Sequence, residues 1–320
     1  MQEKRWTFWA LAVYFVIFTI FLFAPMIVMA VLSFQGPEGQ LQFPMRGASF
    51  HWWQALFQES VGGSQATAIK DAGLTSLYLG LVVGGVVTAL ALTLSMAFRR
   101  RFRGDGVLFY LVLLALMTPG FLLSLGSSLW YQTLGISTAT LPPEVFPLAA
   151  VGTNVVWGLP FGFLIMVAVW NRYDKHVEEA SRDLGASSGR TFREVTLPLI
   201  WTGLFGAFLF GFLLSWNEYD RTALLLTSGQ LTLPVQIFAL TTGSVIQPNL
   251  YALGAASTAL VFLLVGLILV FAWFRGRGGS GRPTLEQQVA EELGEVEAID
   301  AEALESAVDD GPAGAGGRAG

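Results

Sequence analysis

Six long runs of apolar residues constrain the fold of this chain more than any other feature of its sequence. A membrane-spanning helix needs about 20 mostly apolar residues to cross a hydrocarbon core about 30 Å thick. Runs of that length cover residues 6–32, 69–98, 106–130, 147–170, 199–216 and 251–274. Charged residues make up 13 % of the chain, whereas soluble domains carry about 25 %. We therefore predict an all-α polytopic membrane protein with six transmembrane helices.

The positions of the basic residues predict how these helices are oriented, because Lys and Arg near span ends tend to stay cytoplasmic. With a cytoplasmic amino terminus, 15 of the 18 Lys and Arg lie inside, and Arg46, Lys70 and Arg221 lie outside. Both termini are therefore predicted to be cytoplasmic. Lys4 and Arg5 precede the first run as in a signal peptide, but the run is too long for one and lacks a cleavage site. A retained span is expected, with cleavage as the minor alternative.

The predicted spans divide the chain into four parts. These are a first helix (1–33), an outer loop (34–68), a five-helix core (69–275) and a cytoplasmic tail (276–320). Within the outer loop, Trp52 and Trp53 lie in segment 50–57, which suits either an amphipathic segment at the outer membrane interface or a loop packed on neighbouring helices.

Net charge distinguishes the tail from the rest of the chain. Residues 1–282 carry a net charge of +4 and the last 38 residues carry −9. Residues 284–308 are compatible with a short amphipathic helix, and the Gly and Ala run after them is typical of disorder. The overall charge of −5 therefore belongs to the tail and not to the membrane body.

Prolines and paired glycines within the runs indicate how the helices bend and pack. Pro119 and Pro160 are expected to kink the third and fourth spans, because proline removes a backbone hydrogen bond and crowds the preceding turn. Residues 80–84 and 158–162 have GxxxG spacing, which lets a second helix approach closely. A packed helix bundle is the expectation.

Composition and incomplete motifs argue against chemistry carried by this chain. The sequence has no Cys and two His, so thiolate and histidine-rich metal sites are not expected. Residues 185–189 match G-x-S-x-G, but a nucleophile elbow needs a strand before the serine. Residues 276–281 have phosphate-loop glycines without the required Lys. We expect no catalytic site, no bound metal or cofactor, and no ATP bound by the chain itself.

The polar segment 172–198 between the fourth and fifth spans has a helical pattern. Weakly apolar residues recur at i, i+3, i+4 and i+7 at positions 177, 180, 181 and 184. Glu178 and Arg182 have the i, i+4 spacing of an ion pair, which is predicted on the solvent side. Gly185 stands where a left-handed cap ends a helix. The pattern predicts a short exposed helix followed by a glycine turn.

A second short helix is predicted to follow this turn. Thr191 and Glu194 have capping-box spacing, and Pro198 stands at the head of the fifth span. The whole segment is therefore expected to form a helix, a turn and a helix at the cytoplasmic surface.

The same segment resembles the EAA loop of binding-protein-dependent ABC importer permeases. Glu179-Ala-Ser, then Gly185 after three residues, and Val195-Thr-Leu-Pro198 after nine more keep the spacing of the EAA pattern, with Ser181 and Val195 as conservative departures. In that family the loop docks on an ATPase subunit. The resemblance implies that Glu179 is the docking acid and Gly185 the turn. It places Ala180 and Leu184 on the packed face, in a coupling loop that also includes Glu178, Arg182 and Pro198.

The resemblance covers about residues 50–274 and implies the type I importer permease fold. Segments 99–104, 215–220, 232–234 and 247–252 look most like the second permease subunit of spermidine/putrescine importers. Permeases for sugars, phosphate, thiosulfate or ferric ion share much of this layout and remain alternatives. The implied partners are a homologous permease in a heterodimer, two ABC ATPase subunits, a soluble substrate-binding protein and membrane lipid, without nucleic acid. The implied location is the bacterial inner membrane.

Five residues are candidates for the substrate path. Glu218 and Asp220 flank the predicted outer end of the fifth span, where acidic groups would suit a cationic polyamine, although both would also be explained by exposure to water at the helix end. Tyr78, Asn154 and Trp157 line the path only if their helix faces point inward.

Two other classes of protein compete with an ABC permease. A membrane-embedded enzyme would need convergent reactive groups at one depth, but the predicted topology puts His51 and His176 on opposite sides of the membrane. An ATP-independent secondary transporter would need no coupling loop and often has two matching halves, and no internal repeat is visible.

Overall fold

The computed structural model describes residues 2–38, 44–100, 102–135, 149–226, 230–243 and 248–277. Regular structure in these ranges is helical, which confirms the predicted all-α class. The tail from residue 278, with its predicted helix over 284–308, lies outside the described residues. Orientation across the bilayer stays a prediction from the basic residues.

The helices follow one another with few long connections. In chain order they are α1 (Gln2–Leu32), α2 (His51–Phe57), α3 (Glu59–Phe98), α4 (Asp105–Leu114), α5 (Gly120–Thr133), α6 (Val151–Asn171), α7 (His176–Asp183), α8 (Ser188–Thr191), α9 (Leu197–Trp216), α10 (Leu233–Gly243) and α11 (Pro248–Arg277). Five helices of the described chain are long and apolar enough to cross a membrane, and a bent pair brings the number to six.

The first predicted span is confirmed with its bounds, as an apolar stretch over Trp6–Leu32 within α1. Most large side chains of α1 are exposed. Near its end, the Met29 side chain lies against Gly254 of α11, where an added Cβ would meet the Met29 sulfur at 2.6 Å. The helix therefore sits at the edge of the described bundle, and much of its apolar surface is free for lipid or a partner.

The second span begins earlier than predicted. An apolar helical stretch runs over Gly63–Phe98, and Gly63 itself, with φ of 56°, marks a kink near the start of α3. At 1.5 Å per residue this stretch is about 54 Å long, which exceeds the bilayer core. The polar residues before Ile69 end the apolar run but not the helix, because backbone hydrogen bonding does not require apolar side chains.

The third predicted span is broken and not merely kinked. Helix α4 continues through a 3₁₀ turn over Ala115–Met117, and α5 then begins at Gly120 at an angle of 97° to it. Thr118 and Pro119 between them have extended backbone with ψ near 120°. By contrast, α6 passes through Pro160 as one helix, and a kink at Pro160 stays a prediction.

Helices α3, α6 and α9 pack against one another and form the core. Backbones approach closely at Gly84 and Gly211, where a Cβ added to Gly211 would lie 3.0 Å from the Gly84 Cα. Gly158 and Gly162 of α6 face the Val87 side chain. The predicted GxxxG packing is therefore observed. The end of this bundle that carries residues 172–198 is called the loop end below, and the opposite end the far end.

Shorter helices pack around this core. Helix α2 covers most of predicted segment 50–57 and packs on α3, with Ala55 and Leu56 buried. The Trp53 indole donates a hydrogen bond to the Ser33 hydroxyl at 3.2 Å. Helix α10, which the sequence patterns did not predict, also contacts α3. A position of α2 at the membrane interface stays a prediction.

Two compact units divide the chain, Met1–Leu263 and Leu264–Gly320. The first contains the three-helix core. In the second, the described residues form the C-terminal end of α11.

Candidate functional site

Residues 172–198 form the predicted helix, turn and second helix. Helix α7 ends at Asp183, and Gly185 then adopts φ of 89°, a left-handed conformation that L side chains disfavour. Its N–H donates to the Arg182 carbonyl at 2.8 Å, which closes the turn. Helix α8 begins after Ser187, whose hydroxyl accepts from the Arg190 N–H. The cap is therefore Ser187 and not the predicted Thr191.

Thr191 has another role in this segment. It is buried, and its hydroxyl lies 3.3 Å from the Ser181 hydroxyl of α7. Glu194 pairs with Arg190 at 2.9 Å instead of capping a helix. The capping-box spacing was misleading because the chain is already helical before Thr191 and continues through a π turn into α9.

The outer surface of α7, together with the residue that follows the helix, carries exposed apolar side chains. Leu184 is 90 % exposed and Val177 is 41 % exposed, and Ala180 is exposed beside them. Glu179 on the same helix is also exposed, and its carboxylate lies 3.2 Å from Nδ1 of His176. Val177, Ala180 and Leu184 lie on one face by their spacing, and an exposed apolar patch with polar surroundings is typical of a surface that another protein covers.

The opposite face of α7 is anchored to the bundle through Glu178. Its Oε1 accepts hydrogen bonds from Arg99 Nη1 and from the Thr196 hydroxyl, each at 3.0 Å. Arg182 pairs with Oε2 at 3.6 Å. Glu178 is buried, so the predicted pair with Arg182 forms, but the glutamate is not on the solvent side. The prediction failed because Arg99, the partner that draws Glu178 inward, is distant in sequence.

Aromatic rings complete this arrangement. The Arg99 guanidinium lies 4.3 Å from the Trp170 ring centroid and 5.3 Å from that of Tyr173. The Trp170 indole donates to the Ser95 hydroxyl at 2.9 Å. Arg99 ends α3, Trp170 lies near the end of α6 and Thr196 precedes α9. These residues with Glu178 and Tyr173 form the loop-end cluster, which ties the loop to all three core helices.

The electrostatics of the cluster favour a charged glutamate. Burial alone would raise the pKa of the Glu178 carboxyl, but hydrogen bonds from Arg99, Thr196 and Tyr173 outweigh burial and hold this pKa below its ordinary value. Burial raises the pKa of the Tyr173 hydroxyl, which keeps it protonated as a donor. The cluster is therefore a stable ion pair at neutral pH.

A second acid and arginine pair lies at the far end. Glu218 and Arg221 are both buried, and Arg221 Nη1 donates to the two carboxylate oxygens of Glu218 at 3.1 and 3.2 Å. The Arg221 guanidinium stacks 4.2 Å from the Trp157 ring centroid. Its Nη2 donates to the Thr118 carbonyl at the break in the third span, at 3.4 Å. These four residues form the far-end cluster.

The five predicted path residues therefore have different environments. Glu218 is neither solvated nor free, because Arg221 neutralises it, whereas Asp220 is exposed. Asn154 is buried between α6 and α9, where its amide donates to the Ser215 hydroxyl at 3.2 Å. The structure brings Trp157 and Glu218 together around Arg221, and Tyr78 is 43 % exposed on α3.

Sequence reasoning missed both arginines. Arg221 stands three residues after Glu218, a spacing that could have indicated an ion pair across a helix end. Arg99 belongs to a basic run that indicated orientation and a family resemblance, but not a contact with the loop. Its contacts with Trp170 and Glu178 join residues that are far apart in sequence, and no local pattern marks them.

Comparisons with known proteins agree with this architecture. The Haemophilus influenzae spermidine/putrescine transport system permease protein PotC is 25 % identical over 250 residues, which cover 78 % of this chain and 90 % of PotC. The Escherichia coli putrescine transport system permease protein PotI is 24 % identical over 270 residues, covering 83 % of this chain and 90 % of PotI. These relatives are transport permease subunits and not enzymes.

A solved structure shares the fold at low sequence identity. It is a bacterial ABC transporter involved in the import of the acidic polysaccharide alginate, 16 % identical with a TM-score of 0.58, and the match covers 86 % of this chain and 98 % of that one. Residues 85–277, more than half of the chain, match the family described as binding-protein-dependent transport system inner membrane component. The helix bundle, the exposed loop over 172–198 and this match together show that the chain belongs to that family of ABC importer permeases.

Proposed function

We propose that this chain forms half of the translocation pathway of an ATP-driven importer for linear polyamines in a bacterial inner membrane. A homologous permease would supply the other half in a heterodimer, two ATPase subunits would bind the loop end, and a soluble binding protein would deliver the substrate. The polyamine assignment is supported by the relatives, which are named as spermidine/putrescine and putrescine permeases. The chain would need no cofactor of its own.

The observation that carries the proposal is the two-faced helix α7. Its inner face is fixed to the core through Glu178, and its outer face presents Leu184, Val177 and the Glu179 carboxylate. An ATPase surface that covers the apolar residues and offers a basic group to Glu179 would hold α7 firmly. Glu179 would then contact the partner, while Glu178 positions the helix.

The loop-end cluster provides a path for force from the loop to the spans. A displacement of α7 would act on α3 through Arg99, on α9 through Thr196 and on α6 through the Arg99 contact with Trp170. ATP binding changes which of two arrangements is favoured only if contacts differ between them. Docking of α7 supplies such a contact, and the cluster couples it to all three core helices.

Uptake by the complete transporter tests the proposal. Proteoliposomes that contain both permeases, the ATPase and the binding protein should accumulate labelled spermidine with ATP, and excess putrescine should compete. Sugars, phosphate, thiosulfate and ferric ion should not compete. Uptake of one of these solutes in place of spermidine would overturn the polyamine assignment and leave the importer assignment intact.

A charge reversal tests the coupling loop. Glu179→Arg should abolish ATP-driven uptake and weaken co-purification of the ATPase, because it places a cation against the basic docking group. Glu194→Arg is the matched control, since Glu194 is an exposed carboxylate of the same segment that pairs locally with Arg190. Equal uptake in Glu179→Arg and the unmodified transporter would show that α7 does not couple through this residue.

A further inference from the structure

The far-end cluster is a cage for a cation. The Arg221 guanidinium has the Glu218 carboxylate on one side, the Trp157 ring 4.2 Å away, and the Thr118 carbonyl at 3.4 Å. The side chains of Arg221 and Glu218 are only 9 % and 7 % exposed. A carboxylate, an aromatic face and a carbonyl oxygen are groups that attract a cation.

Arg221 does not satisfy its own hydrogen-bonding groups in this cage. A guanidinium has five N–H donors, and the buried Nε of Arg221 has no hydrogen-bond partner among the described residues. A buried N–H donor that has no hydrogen-bond acceptor costs free energy. The hydrogen bond to Thr118 is also long at 3.4 Å. The cage therefore offers fewer acceptors than an arginine needs.

A primary ammonium group matches the cage better than arginine does. It carries three N–H donors, and the acceptors around the Arg221 guanidinium are the two Glu218 oxygens and the Thr118 carbonyl. The Trp157 face would contact the cation or the adjoining methylene groups. No donor of such a ligand would be left over.

Aromatic rings continue from this cage along α6 and onto α9. Trp157 lies 5.5 Å from Phe161, and Phe161 stacks on Phe210 at 6.1 Å between ring centroids. Trp157 and Phe161 are half-buried and Phe210 is 47 % exposed, so these rings have accessible surface. An alkylammonium chain that leaves the cage would meet further aromatic faces.

We propose that Glu218, Trp157 and the Thr118 carbonyl form a binding subsite for a primary alkylammonium group, which Arg221 occupies as a tethered stand-in while the subsite is closed. An incoming amine displaces the guanidinium from Glu218, and release of the amine lets Arg221 return. The identity of the amine as one end of a polyamine rests on the proposed function, whereas the cage does not depend on it.

Chemical rescue of an arginine variant tests the subsite without transport. The probe is ethylammonium chloride, added to the complete transporter in lipid nanodiscs with Arg221→Ala in this subunit, against sodium chloride at equal ionic strength. Ethylammonium should raise the thermal unfolding midpoint of the variant subunit by about 3 °C. The unmodified protein should show a smaller difference between the two salts, because the tethered Arg221 guanidinium competes with ethylammonium for the cage.

Two controls define the result. Glu218→Gln combined with Arg221→Ala should remove the ethylammonium effect, since the anion is gone. Tetramethylammonium, which has no N–H, should rescue Arg221→Ala less than ethylammonium does. Equal midpoints of Arg221→Ala in ethylammonium and sodium, or equal rescue by the two ammonium ions, would overturn the proposal.

A second variant covers the case in which Arg221→Ala does not fold. Arg221→Lys keeps a tethered cation and offers the three donors that the cage matches, so it should compete better with substrate. The KM for spermidine in substrate-stimulated ATP hydrolysis should rise several-fold with kcat unchanged. An equal KM in Arg221→Lys and the unmodified transporter would overturn the displacement step. Absence of stimulation by spermidine in the unmodified transporter would instead count against the proposed polyamine function.

Discussion

The two ends of the core bundle hold clusters that use the same three residue types. Helix α6 carries Trp170 near the loop end and Trp157 near the far end, about 20 Å apart along its axis. An arginine stacks on each ring, at 4.3 Å and 4.2 Å, and each arginine pairs with a glutamate at 3.0 to 3.2 Å. The same chemistry thus appears at both ends of the core bundle.

The clusters differ in how completely their polar groups are satisfied. At the loop end, Glu178 also accepts from Thr196 and Trp170 donates to Ser95, and no buried side-chain atom of that cluster lacks a partner among the described residues. At the far end, Arg221 Nε lacks one. A cluster in which every buried polar atom has a hydrogen-bond partner is held rigidly. A cluster with an unpaired donor loses less when its partners are exchanged. This difference supports the two proposals, in which the loop end transmits force and the far end binds a ligand.

The largest expected effect comes from breaking the far-end pair. Arg221→Ala should lower the free energy of unfolding by about 3–5 kcal/mol, because Glu218 is left buried and uncompensated. The measurement is thermal or denaturant unfolding of the purified protein in nanodiscs.

Removing both charges is the matched control for this prediction. Glu218→Leu combined with Arg221→Met should keep most of the stability, since an apolar pair of similar volume avoids the burial of charge. If the double variant is as unstable as Arg221→Ala, the cost does not come from an unpaired charge.

The second prediction addresses the loop-end pair. Glu178→Ala should lower the free energy of unfolding by about 2–3 kcal/mol, since charge-assisted hydrogen bonds from Arg99 and Thr196 are lost. It should also leave ATP hydrolysis active while uptake falls, because α7 is no longer tied to the spans. Parallel assays of hydrolysis and uptake measure this uncoupling.

Glu179→Ala separates the two neighbouring glutamates. Glu179 is exposed, so its removal should leave the stability of the isolated subunit unchanged and weaken ATPase binding instead. The distinction between a positioning and a docking glutamate would be wrong if the two variants lost stability equally.

The third prediction tests how tightly the far-end cluster is packed by adding one methyl group beside it. A Cβ added at Gly120 would lie 3.0 Å from Arg221 Nη1 and 3.0 Å from the Asp220 Cβ. Gly120→Ala should therefore cost about 1 kcal/mol by crowding the far-end cluster. Gly126→Ala in the same helix has open space and should be neutral or stabilising. Similar unfolding midpoints for the two variants would show that the far-end cluster accommodates a Cβ at Gly120 without cost.

The smallest expected effect depends on pH and concerns the loop end. The pKa of Glu178 is lowered from its ordinary 4.5, so the stability that its ionisation contributes is fully present above about pH 4.5 and is lost as pH falls through the folded-state pKa. Unfolding midpoints of Glu178→Gln and the unmodified protein should therefore converge on acidification. A difference that stays constant down to the acid range would contradict the ion pair.

Patterns of hydropathy and local spacing predicted much of this molecule. The bounds of the first span and the turn at Gly185 follow from the sequence because they depend on apolar run length and on glycine conformation. The EAA spacing likewise identifies the loop from the sequence alone. These features are local, so a single sequence contains them.

Features that failed or were missed depend on tertiary contacts. Hydropathy averages over residues 106–130 and cannot show that the chain turns by 97° within that run. Glu178 was expected in water because Arg99, which buries it, lies 79 positions earlier. Thr191 was expected to cap a helix, but the π turn after it continues the helix into α9. In each case the deciding partner lies outside the window in which a pattern is visible.

The right-angled corner between α4 and α5 has a consequence for hydration. Each arm is only about 20 Å long, so neither is long enough to cross a bilayer core alone, and a span built from both would place the corner within the hydrocarbon core. Irregular backbone at that depth must be satisfied by protein or by water. Pro119 has no N–H group, and the Thr118 carbonyl accepts a hydrogen bond from Arg221 Nη2. If the proposed exchange occurs, this carbonyl needs an ammonium group or a water molecule whenever Arg221 moves away, so transport would bring either substrate or water to the corner.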